Sequence, residues 1–250
     1  MTSTGKSKIL ALSGGVGGAK LALGLATITT DEQLTVVVNT ADDFEHLGLS
    51  ISPDLDTLLY TLAGESNQSQ GWGLCGESWQ AMNMLSSFGG ETWFQLGDRD
   101  LGTHLMRTNG LHQGDSLTKV TETLRQGLKV KQRILPMSDD PVRTQVNTLD
   151  GQLSFQHYFV RERCQPKVTG FHFEGVSEAK AQAEFVALLQ DPELAAVVIC
   201  PSNPFVSVAP MLSLTGVKAL LQKCQAPIVA VSPIVSGMAI KGPAAKMMEE

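Results

Sequence analysis

The fold is decided by the stretch Ile9-Leu-Ala-Leu-Ser-Gly-Gly-Val-Gly-Gly-Ala-Lys-Leu-Ala-Leu-Gly-Leu25. Residues 9–12 form an apolar run that is long enough for a buried strand. Glycine occupies four of the five positions 14–18, and good helix formers follow over 19–26. Strand, glycine turn and helix in this order predict the first unit of a doubly wound, Rossmann-like α/β sheet.

The glycine turn is a candidate binding site for phosphate. Glycine lets the backbone approach a ligand closely, and the amides at a helix N-terminus favour an anion. The candidate phosphate-binding residues are Gly14, Gly15, Val16, Gly17, Gly18 and Lys20. The turn matches neither the G-x-G-x-x-G nor the G-x-x-x-x-G-K-[ST] fingerprint, so a tight turn that needs glycine only for packing stays as the alternative.

Composition limits the classes of protein to consider. With 250 residues, 42% hydrophobic and 18% charged, the chain suits one large globular α/β domain. The net charge of −6 and the lack of a basic cluster argue against a nucleic-acid partner. The cysteines are isolated, and no apolar run reaches about 18 residues, so we expect a reduced, cytoplasmic protein without a membrane span.

Further strands and helices continue the α/β pattern. Apolar, β-branched runs over 34–38, 195–200 and 228–231 predict neighbours of the first strand in one mostly parallel sheet. The dipeptide Asp150-Gly151 predicts an antiparallel hairpin inserted near 130–170. Helices are predicted over 57–62, 72–87, 115–126 (capped by Asp115 or Ser116), 177–189 (capped by Ser177), 210–223 and from 244 onward.

Polar clusters follow the predicted strands, where open α/β sheets bind their ligands. The clusters are 14–18, 39–43, 138–140 and 202–203. Carboxylates can hold a divalent cation that neutralises phosphate, and Ser202 and Asn203 are candidate contacts of a base or sugar. The residues alone therefore predict nucleotide binding or phosphoryl-group transfer.

Short polar and glycine-containing motifs recur along the chain. They are SGGVGGAK (13–20), VNTADD (38–43), ISPDLDT (51–57), LGDRD (96–100), LPMSDDP (135–141), Gly170 with GVSE (175–178), PSNP (201–204) and VSPI (231–234). As a set, these motifs resemble those of the 2-phospho-L-lactate transferase family, and they extend from residue 10 to residue 243 in the order found in that family. The glycine turn departs from archaeal members at Val16 and at 18–19.

The resemblance implies a role in the biosynthesis of the deazaflavin coenzyme F(420). The implied acceptor is the deazariboflavin Fo, and the implied donor is a guanosine diphosphate ester of lactate or of a three-carbon relative such as enolpyruvate. Attack by the terminal ribityl hydroxyl of Fo would release GMP. The resemblance also implies Mg²⁺, a homodimer, and a C-terminal segment beyond residue 250.

The same resemblance implies roles for single residues. By position, Asp56 matches an aspartate that contacts Fo, Gln95 stands where methanogen members carry a lysine that contacts Fo, and Asp98 belongs to the same motif. For Mg²⁺ the candidates are Asp42, Asp43 and Asp56, and the preferred catalytic pair is Asp43 and Asp56, one of which could act as general base. The alternative for Asp42 and Asp43 is that they cap the next segment.

Two other functions remain to be weighed. A related family of the same fold binds nucleotide sugars and regulates cell-wall metabolism, and it shares the glycine turn and the Ser-Asn-Pro loop. The segments 52–56 and 96–100, which would contact Fo, favour the transferase. A Rossmann oxidoreductase is disfavoured because Asn39 stands where an acidic ribose contact is expected.

Overall fold

The computed structural model describes residues 7–236, 238, 239, 244 and 247. The strands are β1 (Lys8–Ser13), β2 (Leu34–Val38), β3 (Phe44–His46), β4 (Leu49–Ile51), β5 (Arg133–Pro136), β6 (Arg143–Thr148), β7 (Gly151–Ser154), β8 (Val168–Glu174), β9 (Leu194–Ile199), β10 (Ile228–Ala230), β11 (Ile234–Val235) and β12 (Met238–Ala239). The helices are α1 (Val16–Ile28), α2 (Pro53–Leu62), α3 (Gln80–Ser87), α4 (Asp98–His112), α5 (Leu117–Gly127), α6 (Ala183–Leu189), α7 (Ala209–Ser213) and α8 (Val217–Lys223), with π-helical turns at His157–Arg161 and Pro204–Val208.

A parallel sheet forms the centre of the described part of the chain. Its strand order is β10-β9-β1-β2-β5, and each neighbouring pair is parallel. The prediction that the four apolar runs are neighbours in one sheet is therefore confirmed. Successive strands are added on one side of β1 (β2, β5) and then on the other (β9, β10), and such a switch point at the carboxyl ends of parallel strands is the usual ligand site of these sheets.

Both faces of the sheet are covered, as a parallel sheet requires. Leu10 and Leu12 of β1 pack in a core cluster with residues of α6, α7 and α8. Ala11 points to the opposite face and packs with residues of α1, α2 and α5. The near-continuous apolar strands thus follow from burial on two sides, which explains why they lack polar alternation.

A second, antiparallel sheet interrupts the parallel pattern. Its order is β7-β6-β8, and the register pairs Thr148 with Gly151, so the predicted hairpin is confirmed. The insertion packs through a cluster that includes Val146, Tyr158 and, from the turn after β9, Val206, and through Phe173 of β8 against the core of the parallel sheet. The second strand of the hairpin is short, because β7 ends at Ser154 and a π-helical turn follows over His157–Arg161.

Helix boundaries differ from the sequence predictions at several places. The segment 72–79 is not helical, and Gly73 and Gly76 in it have φ of 70° and 67°. Helix α6 is shorter than predicted and takes its cap from Gln182, not Ser177. The predicted helix 210–223 is divided at Gly216, which has φ of 83°, whereas the cap of α5 by Ser116 is confirmed. The predicted helix from 244 lies mostly outside the described residues.

No single described helix is both long and apolar enough to cross a membrane. One bent pair, 204–213 with 217–223, meets the test by length and composition only.

The glycine turn packs tightly against the loop that follows β9. A Cβ atom at Gly17 would overlap the carbonyl oxygen of Pro201. The packing interpretation of the glycines is thus supported at this position, whether or not the turn also binds an anion. A loss of nucleotide binding in a Gly17 variant would therefore not by itself show an anion site.

We predict opposite effects for two glycine substitutions in α1. Gly17→Ala should lower the free energy of unfolding by about 1–3 kcal/mol, because the new methyl group overpacks a rigid backbone contact. Gly24→Ala is the matched control, since a Cβ there meets nothing within 4 Å, and it should stabilise by about 0.5–1 kcal/mol. Urea unfolding of both variants measures the two values, and a Gly17→Ala protein as stable as the parent would contradict the packing.

Candidate functional site

The carboxyl ends of β1 and β9 meet through one hydrogen bond. The Gly14 amide donates to Ser202 Oγ at 2.8 Å, so the glycine turn and the loop after β9 are held together as predicted for neighbouring strand ends. Asn203 has a local role, because its Oδ1 accepts from the amide of Phe205 at 2.9 Å and caps the π-helical turn. Lys20 is exposed on the second turn of α1.

The N-terminus of α1 carries unpaired positive character. Its N-cap is Gly15, which provides no side-chain cap, and its first turn contains no acidic residue. A carboxylate nevertheless lies beside it, since Asp54 Oδ1 is 2.7 Å from the position of a Cβ at Gly15. Asp54 Oδ2 accepts from Asn39 Nδ2 at 3.0 Å. Burial raises the pKa of Asp54 to about 6.

Asp42 and Asp43 are buried at the end of β2 and have free acceptor capacity. Asp43 Oδ2 accepts from Ser52 Oγ at 2.7 Å. Among the described residues, Oδ1 of Asp42 and Oδ1 of Asp43 are buried without a hydrogen-bond partner. Burial raises the pKa of Asp43 to about 7, against the opposing effect of Arg143, and burial with the nearby Asp54 raises that of Asp42. Orphaned carboxylate oxygens of this kind are suited to a cation.

Asp56 is held by a buried arginine. Arg107, which is 1% exposed, donates from Nη2 to Asp56 Oδ1 and from Nη1 to Asp56 Oδ2, the latter at 3.1 Å. Burial raises the pKa of Asp56, and Arg107 opposes that rise. Asp56 is therefore fixed in orientation, with both oxygens engaged.

The pair extends into a polar network between α2 and α4. His104 Nε2 lies 3.1 Å from Asp100 Oδ2, and Tyr60 donates to Asp100 Oδ1 at 2.5 Å. Sequence reasoning does not single out Arg107, and for the run 98–104 it leaves solvated surface as an open alternative. The spacing of Asp100, His104 and Arg107 (i, i+4, i+7) is the signal that places them on one helix face.

The other candidate contacts of Fo have local roles in the fold. Asp98 accepts from the amides of Gln80 and Ala81, both at 3.0 Å, and so ties the start of α3 to the start of α4. These bonds and one from Ser78 lower the pKa of Asp98. Gln95 is exposed, and its Nε2 donates to the Thr92 carbonyl oxygen at 2.7 Å.

Two clefts open among the described residues on either side of the segment 42–45. Their volumes are about 200 Å³ and about 230 Å³. Both are lined by Asp43, Phe44, Glu45 and Arg143. Asp43 and Arg143 therefore both border the space in which a ligand would lie.

The donors present fit one kind of metal site. No group of three or more His, Cys, Asp or Glu side chains among the described residues forms a metal centre by itself. Mg²⁺ is usually held by one or two carboxylates together with waters and substrate phosphates. Asp42 and Asp43 match that requirement, whereas a Zn²⁺-type cage is not formed by the described residues.

Comparison with known sequences gives a family match and close relatives. The sequence model of the family described as 2-phospho-L-lactate transferase CofD matches residues 9–250. A 2-phospho-L-lactate transferase of Methanosarcina mazei is 40% identical over 240 residues, which are 96% of this chain and 78% of that protein. A phosphoenolpyruvate transferase of Mycobacterium tuberculosis is 38% identical over 255 residues, covering 94% and 76% of the two chains.

Among solved structures, the fold is matched by a UPF0052-family protein of Bacillus halodurans. The TM-score is 0.62 at 19% identity, over 90% of this chain and 68% of that one. At this identity the likeness concerns the fold alone, and it agrees with the α/β class predicted from the sequence.

We predict that removal of the arginine in the buried pair destabilises the protein strongly. Arg107→Met leaves Asp56 buried without its cation, so the free energy of unfolding should fall by about 3–5 kcal/mol. Arg161→Met is the control, because its pair with Glu162 is exposed and should contribute at most about 1 kcal/mol. Equal losses in urea unfolding would contradict the assignment.

We also predict a pH-dependent gain from Asp43→Asn. The folded pKa of Asp43 lies near 7 and the ordinary value is 3.8, so folding favours the protonated form and stability falls as the pH rises through that window. In the presence of a chelator, the free energy of unfolding of the variant should match that of the parent near pH 4 and exceed it by about 4 kcal/mol at pH 8, because each pKa unit of the shift corresponds to about 1.4 kcal/mol. Asp191→Asn is the control, since its bond with Lys8 lowers its pKa and no gain should follow.

Proposed function

The chain belongs to the 2-phospho-L-lactate transferase CofD family, and from this membership we propose that it transfers a three-carbon phospho-acid group to the deazaflavin Fo. It is a transferase, as its relatives are named. The observation that supports the finer proposal is the convergence of buried carboxylates, an uncapped helix N-terminus and two clefts at one edge of the sheet.

The proposed donor is a guanosine diphosphate ester of the acid. The terminal ribityl hydroxyl of Fo attacks the phosphorus next to the three-carbon acid, the bond from that phosphorus to the bridging oxygen breaks, and GMP leaves with the electron pair. The uncapped amides of α1 suit the donor phosphates. Ser202, bonded to the glycine turn, would form the wall on the nucleoside side. We further propose a cytoplasmic homodimer.

The carboxylates divide between two roles in this proposal. Asp42 and Asp43 would hold Mg²⁺ through their orphaned oxygens. The ion would neutralise charge on the phosphates. Asp56, fixed by Arg107, would orient the ribityl hydroxyl and accept its proton. Ionised acidic side chains alone would repel the donor, so this division accounts for an acidic site with an anionic substrate.

Experiment decides which three-carbon acid the protein transfers. The two relatives are named for different acids: the one that is 40% identical for 2-phospho-L-lactate, and the one that is 38% identical for phosphoenolpyruvate. The protein is incubated in parallel with Fo, Mg²⁺ and each guanylylated acid (lactate, enolpyruvate or glycerate type), and the products are identified by mass spectrometry. One acid should be preferred, and it should give GMP and a three-carbon phosphodiester of Fo.

We predict that Asp43→Asn lowers Mg²⁺-dependent transfer by about a hundredfold or more, because it removes a charged ligand oxygen while keeping the shape. Asp191→Asn, near the start of β1 and far from its carboxyl end, should keep near-parental turnover. Transfer undiminished in Asp43→Asn at saturating Mg²⁺ would remove Asp43 from the site. Nucleotide-sugar binding without any transfer would instead support the regulatory alternative.

A further inference from the structure

We propose that Arg143 recognises the carboxylate of the three-carbon acid and so determines which donors are used. The inference rests on the proposed function, and it concerns a residue outside the motif residues to which a role was assigned. The proposed donor brings a carboxylate as well as phosphates into clefts lined by aspartates, so a positively charged side chain is needed to bind that carboxylate.

Most N–H groups of the Arg143 guanidinium have no protein partner among the described residues. Within the described part of the chain its one hydrogen bond to protein is from Nη1 to the Val142 carbonyl oxygen, at 2.8 Å, and it forms no ion pair within 4.0 Å. Arg107, in contrast, is buried and already engaged by Asp56. Among the described residues, Arg143 is thus the arginine that lines the clefts and keeps guanidinium N–H groups available for a ligand.

Position makes this guanidinium accessible to a ligand. Arg143 lines both clefts together with Asp43. Arg143 also opposes the rise in the pKa of Asp43 that burial causes, so the two charges interact. A donor whose phosphates lie near Asp43 would have its acid group in clefts that Arg143 lines.

The backbone at Arg143 is fixed on both sides. Val142 is fully buried, and the Thr144 amide donates to the Ala41 carbonyl oxygen at 2.7 Å. Residue 143 also pairs with Glu174 in the antiparallel sheet. A planar guanidinium on a fixed strand end can bind a carboxylate through two parallel hydrogen bonds at low ordering cost.

The test compares two donors that differ only in this group. One is the guanylylated acid that the protein uses best, and the other is its carboxamide, which keeps the phosphates but removes the negative charge. The kcat/KM for GMP release is measured with both donors for the parent, Arg143→Gln, Arg143→Lys and the control Arg161→Gln. Thermal unfolding of each variant accompanies the kinetics.

For the parent we expect a preference for the acid donor of about 10- to 100-fold, the value of a charged hydrogen-bonded pair. Arg143→Gln should lose that preference, with a raised KM for the acid donor and little change for the carboxamide. Arg143→Lys keeps the charge without the planar guanidinium and should retain part of the preference. Arg161→Gln should behave as the parent.

Other outcomes separate the two proposals. No transfer by the parent with any donor would refute the proposed function and this inference with it. If the parent transfers the group but Arg143→Gln loses kcat/KM equally for the acid donor and the carboxamide, the inference alone is overturned. Arg143 would then act on the phosphates or in the fold. If Arg143→Gln does not fold, Arg143→Lys decides: a preference for the acid donor equal to that of the parent would also overturn the inference.

Discussion

The burial of carboxylates at the carboxyl edge of the sheet is the constraint on which the site depends. An ionised carboxylate is costly to bury unless a cation or hydrogen-bond donors compensate it. Each aspartate here is compensated differently: Asp56 by a buried arginine, Asp54 by an amide donor, and Asp43 in part by a hydroxyl. The compensation left incomplete at Asp42 and Asp43, whose Oδ1 atoms are buried without a partner, is the observation on which the proposed cation site rests.

The glycine turn shows how packing and binding can share one sequence. Its glycines allow the turn to lie against the loop after β9, and Gly15 at the N-cap leaves the first amides of α1 without a side-chain cap. The Gly14–Ser202 hydrogen bond then sets the distance between the two strand ends. A requirement for glycine at these positions is thus no proof of phosphate binding, even in a protein whose fold and family make that function reasonable.

Much of the fold could be predicted from local pattern. The parallel sheet follows from apolar, β-branched runs, and the hairpin follows from Asp150-Gly151, because each signal lies within a few residues. Helix ends were predicted less well where a left-handed glycine such as Gly216 interrupts an apolar pattern. Arg107 was missed because its partner Asp56 lies 51 positions away, and no local signal encodes such a tertiary pair.

The antiparallel insertion has a consequence for how proteins of this architecture can diverge. It forms a sheet of its own and reaches the crevice through the first residues of β6. Its apolar side chains do not form a separate core, because Phe173 of β8 packs against the cluster under the parallel sheet and Val146 packs in a cluster with Val206 of the turn after β9. Changes at the exposed hairpin tip, such as Leu149, leave these contacts intact, whereas a change at Phe173 reaches the core of the parallel sheet. Divergence of this insertion is therefore expected to concentrate at the hairpin tip, while the residues that join the two sheets vary together.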